Sequence, residues 1–459
     1  MAAGGRAGQE RRDGDRGGAQ GPPIPGLVIV WSGEAPTLKP LRLPSLGLIL
    51  GRELLGPRTT DDRISRQHAR VRWNGTSFSV TDLGSRNGTY VGGSLVSENE
   101  VTVTPPCVLR TGRTVSVLVA DVRGYEDGDV TEGVDGVIGP RRAAVHEALR
   151  QVAAATDAVL LVAEPGAGVD AAVSVFHATA GGGPLVEVEG GALAGAGGIR
   201  WWVGHDGRTP EAVRAHGGTL VIHDLDALDG DGQAAVAGIL GTGELRSRSG
   251  TWPVDARVVA VCGPDQVEPL RAQVTAGHFR DDLWRRLLPH RVDLPPLRAC
   301  CEEIPHWVVS RTRELTPDLS IHSTMIEACL LRPWPGNIDE LRHEVACATT
   351  LARQGGKRTV RAEHLDADAG MLIALQGTPT VAGSMFETAR HSRSRFKVAL
   401  DLDGVRAALV AADGDLARTA IGLGVHRNRL RRFIAEHDEL APLVSGDEPY
   451  QTAMLSEGD

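Results

Sequence analysis

The hydrophobic pattern changes period near residues 125–135, and that change governs what this 459-residue chain can fold into. Before it, from Leu27 to about Gly124, short apolar runs stand between turn formers. The runs are LVIVW, LGLIL, ARVRW, FSVTDL and VSVLVADV, with Asn74-Gly75 and Asn87-Gly88 among the turns. Several short strands at such spacing predict an all-β sandwich over 27–124. After the break, helical stretches at Arg141–Ala154 and Pro210–Ala215 alternate with apolar strands. Those strands are Ala158–Ala163, Leu185–Val188, Thr219–Ile222 and Ala256–Val261. The alternation predicts a largely parallel α/β sheet over 136–297. Beyond Pro295-Pro296 the pattern is helical, at Glu303–Leu315, Ser323–Leu331 and Ile338–Arg353, so 298–369 reads as a small all-α lid.

The other segments are set by composition. Residues 1–26 are Gly, Arg, Gln and Asp and read as a disordered tail. The acidic stretch 125–135 reads as a linker, and 370–400 as a second one ending in Arg393, Arg395 and Lys397. A helical piece occupies 401–440, and 441–459 is a polar tail. No apolar run reaches the roughly 20 residues of a membrane span, and the start lacks the apolar core of a signal peptide. The six Cys show no C-x-x-C pair, so they read as reduced packing thiols of a cytoplasmic protein. A net charge of −9 argues against general polyanion binding and leaves room for a local basic patch.

Three short signals sit at strand ends in the sandwich. Gly51-Arg52 closes LGLIL, Ser65-Arg66-Gln67-His68 precedes ARVRW, and Asp82-Leu83-Gly84-Ser85-Arg86-Asn87-Gly88-Thr89 follows FSV. A phosphate dianion needs several charge-assisted donors converging at a loop rim, and Arg52, Ser65 and Arg66 are of that type. Asn87 is short and bipolar, suited to holding an extended peptide backbone. In order and spacing the three signals resemble the forkhead-associated (FHA) family, which reads phosphothreonine on partner proteins. The resemblance implies that Arg52, Ser65, Arg66, Ser85 and Asn87 contact the phosphopeptide, with His68 a structural hydrogen-bonding residue beneath them.

The α/β region carries His216-Gly217-Gly218-Thr219-Leu220, the helix Gly277–Leu287, Leu294-Pro295-Pro296-Leu297-Arg298 and Trp334-Pro335-Gly336-Asn337. These segments resemble the AAA+ domain of sigma-54 enhancer-binding activators, which implies an α/β domain with a helical lid. The nucleotide chemistry is missing at the matching positions. A phosphate loop needs G-x-x-x-x-G-K-[ST]. Here Ala163–Asp170 keeps Gly166 and Gly168, replaces the Lys by Val169 and adds the carboxylate of Asp170. The magnesium and water-polarising carboxylates of the next strand match His223 and Asp224, the polar sensor matches Cys262-Gly263, and the lid Arg matches Asp339. The two Arg that reach a neighbouring subunit's ATP are kept as Arg280 and Arg286. The family's GAFTGA loop has no counterpart between Trp202-Val203-Gly204-His205 and His216. The expectation is therefore an inactive ATPase-like domain without catalytic residues or cofactor, ATP and magnesium both being disfavoured.

Residues 402–437 show three short helical patterns, the last two joined at Gly424 with helix-turn-helix spacing. From Arg418 to Ile434 there are five Arg and no acid. The segment resembles the Fis-type helix-turn-helix that ends many sigma-54 activators. Arg418, Arg427, Asn428, Arg429, Arg431 and Arg432 are its expected DNA contacts, with Arg427 and Asn428 at the helix start where base edges are read. The leading reading is a phosphothreonine-responsive, DNA-binding transcriptional regulator. It implies a phosphorylated protein partner, DNA, an RNA polymerase or sigma factor, self-association and no membrane. Two alternatives stay open: a working ATPase that remodels the sigma-54 polymerase, and a phosphoprotein adaptor that does not bind DNA.

Overall fold

The computed structural model describes residues 21–56, 60–96, 100–133, 136–193, 198–203, 209–247, 250–371 and 402–412, with scattered positions from 414 to 443. The expected DNA contacts Arg418, Arg427, Asn428, Arg429, Arg431 and Arg432 lie outside the described residues, as do Gly204 and His205.

Ten strands build the sandwich: β1 (Gly26–Ser32), β2 (Ala35–Arg42), β3 (Leu48–Leu50), β4 (Ala69–Trp73), β5 (Phe78–Asp82), β6 (Thr89–Val91), β7 (Ser94–Leu95), β8 (Val101–Val103), β9 (Cys107–Thr111) and β10 (Thr114–Val119). A one-turn helix, α1 (Arg52–Leu55), follows β3. One sheet has the order β2-β1-β10-β9-β6-β7 and the other β3-β4-β5-β8. The paired strands run antiparallel. Between the sheets lie Leu27, Ile29, Leu50, Val71, Phe78, Val80, Leu109 and Leu118.

Strand β1 explains how the sandwich meets the rest of the chain. Its side chains alternate from Leu27 to Val30, so Leu27 and Ile29 fill the sandwich while Val28 and Val30 point the other way, and a register shift between Ile29 and Trp31 brings Trp31 to the side of Val30. Those outward side chains are also buried, in a second core shared with the lid helices α7 (Ile304–Leu315), α8 (Ser323–Leu330) and α9 (Asn337–Gln354). Strand β10 does the same, sending Val115, Val117 and Val119 into that core beside Met325, Ile326 and Leu330. Burying such side chains on both faces of two strands contributes roughly 1.5–3 kcal/mol per large residue.

The segment expected as a linker at 125–135 is structured in its described part. Tyr125 is 3% exposed and belongs to the shared core. Strands β11 (Thr131–Gly133) and β12 (Gly136–Ile138) pair as an antiparallel hairpin. The tether reading rested on acidic composition, and it missed that Tyr125 supplies enough apolar surface to anchor the segment.

The α/β unit contains β13 (Ala158–Val162), β14 (Leu185–Glu189), β15 (Thr219–His223), the hairpin β16 (Glu244–Ser247) and β17 (Gly250–Pro253), β18 (Arg257–Cys262) and β19 (Arg291–Asp293). Its five-stranded sheet is parallel, in the order β14-β15-β18-β13-β19. Helices α2 (Pro140–Ala155) and α3 (Val169–Thr179) cover one face, whose core includes Leu149, Val159, Leu161 and Phe176. Helices α4 (Gly230–Thr242), α5 (Val267–Ala276) and α6 (Asp281–Leu287) cover the other. The stretch expected as a helix near Pro210–Ala215 is a 3-10 turn at Glu211–Ala215. At the carboxyl end, α10 (Leu402–Ala411) contributes Val405 and Leu409 to a small core with Leu430, Ile434 and Leu440. All six Cys are buried and free. No helix among the described residues is long and apolar enough to cross a membrane.

Candidate functional site: the sandwich rim and the degenerate phosphate loop

The rim begins where β3 ends. Gly51 must be glycine because a Cβ there would stand 2.1 Å from the Arg66 carbonyl oxygen. That close approach lets the Arg52 backbone N–H donate to the Ser65 carbonyl at 3.0 Å. The Arg52 guanidinium turns back on the same loop, its Nη2 donating to the carbonyls of Asp62 and Ile64, both at 3.1 Å. Asn87 Nδ2 donates to the Arg63 carbonyl at 2.6 Å, and the Ser65 hydroxyl oxygen accepts from the Arg86 N–H at 3.2 Å. Four motif residues, Arg52, Ser65, Arg66 and Asn87, thus share one loop cluster. Arg66 is exposed, and no hydrogen bond or ion pair engages its guanidinium among the described residues. Ser85 is used differently: its hydroxyl and its N–H both donate to the Asp82 carboxylate at 2.9 Å, closing the turn before Asn87.

Two buried residues hold this cluster. His68 is fully buried, and its Nδ1 accepts from the Ser65 N–H at 3.1 Å. Its Nε2 lies 3.0 Å from the Gly88 carbonyl, so Nε2 carries the proton and donates. Burial pushes the imidazole pKa down and keeps the ring neutral, as this tautomer requires. Asp61 is 1% exposed and was not singled out from the sequence. One carboxylate oxygen accepts from the N–H groups of Arg63 and Ile64, at 2.8 and 3.1 Å. The other accepts from the Arg113 N–H and the Thr114 hydroxyl, at 2.9 and 2.7 Å. Asp61 thereby fastens the loop of Arg63, Ser65 and Arg66 to the hairpin between β9 and β10. The signal for it was an Asp two and three residues ahead of the N–H groups it accepts, the spacing of an Asx turn. The assembled rim offers two guanidinium groups and a hydroxyl on a fixed backbone, the donor set an anionic phosphate requires.

In the α/β unit the loop Ala163–Asp170, expected from the sequence at the phosphate position, is held by packed neighbours. It leaves the end of β13, an inner strand between β18 and β19, and enters α3 through Gly168, φ +89°. Gly166, φ +70°, has the Gly336 carbonyl oxygen 2.3 Å from where a Cβ would be, and its own carbonyl accepts from the Ile338 N–H at 3.0 Å. Asn337 Nδ2 donates to the Pro165 carbonyl at 3.0 Å and to Glu164 at 3.2 Å. Arg298 clasps Glu164, one bond at 2.7 Å, and holds that carboxyl below the usual range. From beneath, Arg142 Nη1 donates to the Ala167 carbonyl at 2.6 Å while its Nε pairs with Glu303 at 3.0 Å.

The residues expected at the nucleotide positions sit in varied surroundings. Val169, the first residue of α3, packs onto the α2–α3 core. Asp170 is exposed in the first turn, where a carboxylate complements the helix dipole a phosphate would otherwise meet. His223 Nε2 bonds Glu187 at 3.0 Å across two strands, and Asp224 is exposed in the left-handed region at φ +49°. Cys262 is 2% exposed, its thiol pushed up to about 11 by burial. Arg280 makes two bonds to Asp282, at 2.9 and 2.6 Å, and Arg286 Nη1 donates to the Leu240 carbonyl at 2.9 Å. No group of three or more His, Cys, Asp or Glu suited to a metal ion occurs among the described residues.

Comparison with known proteins matches both units. The FHA domain family model covers residues 49–116, and the sigma-54 interaction domain model covers residues 139–297. The chain is similar to the DNA-binding transcriptional regulator NtrC of Rhizobium meliloti (strain 1021), 29% identical over 248 residues, covering 49% of this chain and 50% of that protein. It is 34% identical over 171 residues to the NtrC of Escherichia coli (strain K12), covering 36% of this chain and 34% of that one. Among solved structures it is similar to NtrX from Brucella abortus in complex with ATP, at 22% identity and a TM-score of 0.45, covering 67% of this chain and 69% of that one. The chain spans about half the length of the first of these curated relatives and about a third of the second.

Proposed function

We infer that this FHA and sigma-54 interaction domain protein, a regulator of the NtrC and NtrX kind, takes its input from a phosphothreonine-bearing partner rather than from ATP. The observation that carries the reading is Val169: the position that should send an ammonium to the phosphates instead lays a half-buried apolar side chain against the α2–α3 core. Asp170 adds a negative charge at the same helix start, and His223 spends its ring on Glu187. A triphosphate there would lose its main cation and gain a repelling carboxylate. The sandwich rim, by contrast, has Arg66 exposed and Arg52, Ser65 and Asn87 fixed around it.

In this reading Arg52, Ser65, Arg66 and Asn87 bind the phosphopeptide, with Ser85 shaping their turn. The α/β unit and lid serve as a scaffold. Arg418, Arg427, Asn428, Arg429, Arg431 and Arg432 bind DNA, most simply as a dimer on paired half-sites. A second reading, an ATPase acting on the sigma-54 polymerase, is favoured by the retention of Arg280 and Arg286, although Arg280 is tied to Asp282.

The deciding experiment pairs two titrations of the full chain. A phosphothreonine peptide is expected to bind, with affinity falling at least about ten-fold in Arg52→Ala, the loss of a charge-assisted contact. ATP with magnesium is expected to give no saturable binding and no phosphate release. Phosphate release above a protein-free blank, abolished by Arg286→Ala, would establish the second reading instead. A salt-dependent gel shift weakened by Arg427→Ala with Arg431→Ala tests the DNA contacts.

A further inference from the structure

A cavity of about 560 Å³ lies between the outer face of the six-stranded sheet and the segment that leads into the lid. Its volume is within the roughly 300–1,000 Å³ of small-molecule sites. The walls are largely apolar, with Pro106, Val117 and Val119 on the sandwich side and Ile304 and Leu330 on the lid side. It belongs neither to the phosphopeptide rim nor to the phosphate loop.

The polar groups lining it are nearly all donors. Arg332 gives Nη1 to the Ala328 carbonyl at 2.7 Å and Nη2 to the Asp366 carbonyl at 3.2 Å, and no carboxylate forms an ion pair with it among the described residues. Its Nε–H is buried without an acceptor. Arg141 donates to the Tyr125 hydroxyl at 3.0 Å and lies over the face of that ring, with the buried Glu302 near enough to act on its charge. The Tyr125 oxygen also accepts from Cys301 Sγ at 3.6 Å, which leaves its own proton to donate. The remaining charges on the wall are already neutralised: Asp121 by Arg123, Arg298 by Glu164.

Two guanidinium groups that no carboxylate hydrogen-bonds among the described residues, and a hydroxyl proton, therefore line a largely apolar space. Such donors suit an anionic head, whose oxygens accept several charge-assisted bonds at once. A cation or a plain hydrocarbon accepts none. We propose that this cavity binds a small organic anion, an apolar body carrying one carboxylate or phosphate head set against Arg332, Arg141 and Tyr125. The chain's own basic run, Arg393, Arg395 and Lys397, has the wrong sign to be that occupant. Because Arg298 forms part of the wall and also holds Glu164, an occupant would brace the joint between sandwich, lid and phosphate loop.

The test uses the full chain with anilinonaphthalene sulfonate, an anionic aromatic probe read by fluorescence. Saturable one-site binding is expected, displaced by decanoate or by monodecyl phosphate and not by decyltrimethylammonium. The better displacer of the two anions identifies the head group. Arg332→Met and Ala299→Trp, the second filling the space without touching Arg332, are each expected to weaken binding at least about ten-fold. Equal displacement by the ammonium amphiphile overturns the proposal. So does unchanged probe binding in Ala299→Trp, whatever becomes of the folding of Arg332→Met.

Discussion

His68 is itself buried out of a ligand's reach, yet it ties both halves of the rim together. It accepts from Ser65 on one loop and donates to Gly88 on the other. Removing the ring breaks two buried bonds of about 1 kcal/mol each and leaves the Ser65 N–H orphaned. His68→Ala is therefore expected to weaken phosphothreonine-peptide binding about ten-fold or more and to lower the melting temperature. Arg52→Ala is expected to weaken binding with far less effect on melting. Calorimetric titration beside thermal unfolding separates the two, and equal melting losses would refute the distinction. Glu302 is the other residue whose surroundings set its behaviour. It is fully buried, and neither carboxylate oxygen is hydrogen-bonded among the described residues. Burial, with Glu303 beside it, pushes its pKa up to about 7. The unfolded chain gives up that proton near about 4.3. Between those values the folded state binds more protons, so stability falls as pH rises through the window. The loss is complete above about pH 7 and is on the order of 3 kcal/mol. Glu302→Gln, which keeps the protonated shape, should melt like the parent near pH 4 and increasingly above it toward pH 8. A constant difference across that range would show that ionisation of Glu302 plays no part.

At the scale of elements, β1 and β10 decide how sandwich and lid are joined. Their runs LVIVW and VSVLV are apolar at nearly every position, which a strand needs only when both faces are buried. That signal was in the sequence, and it was read for strand formation without asking what covered the outer face. The answer, helix α8, is roughly two to three hundred residues away in sequence, and local pattern cannot name a partner at that distance. The strand runs, the parallel sheet and the lid helices were legible because turn residues and hydrophobic period are local. The buried pair across the joint was not. Arg110 Nε meets Glu327 at 2.6 Å, with side chains 12% and 8% exposed. Arg110 also lies 3.8 Å over the Tyr90 ring. Burial pushes the Glu327 pKa up, against the pull of Arg110. Losing Arg110 strands a buried carboxylate, so Arg110→Met should cost about 3–5 kcal/mol. Adding Glu327→Gln should recover part of it, because the stranded charge is gone. A double-mutant cycle by urea unfolding measures that recovery. Strictly additive losses would mean the pair is not coupled.

At the scale of the whole molecule, the recognition rim and the lid share an uninterrupted path of packed groups. Asp61 fastens the rim loop to the Arg113 and Thr114 backbone and hydroxyl at the start of β10. Strand β10 then places Val115, Val117 and Val119 in the core it shares with Met325, Ile326 and Leu330. Helix α9 begins in that same lid and sets Asn337 and Ile338 on the phosphate loop. Because sandwich and lid share this core, the two should unfold as one cooperative unit. Ligand binding to the rim must then stabilise the lid as much as the sandwich. A phosphothreonine peptide at about 100 times its Kd adds about 2.7 kcal/mol to whatever unfolds with its site. Hydrogen exchange is the direct measure. The slowest amides of α8 should slow by about a hundred-fold on peptide saturation, in step with those of β4 and β10. Protection that rises in the sandwich alone would break the mechanical link, leaving the rim a docking module with no grip on the lid. Protection that rises in both, and is uncoupled by Arg110→Met, would place the relay at the Arg110–Glu327 pair.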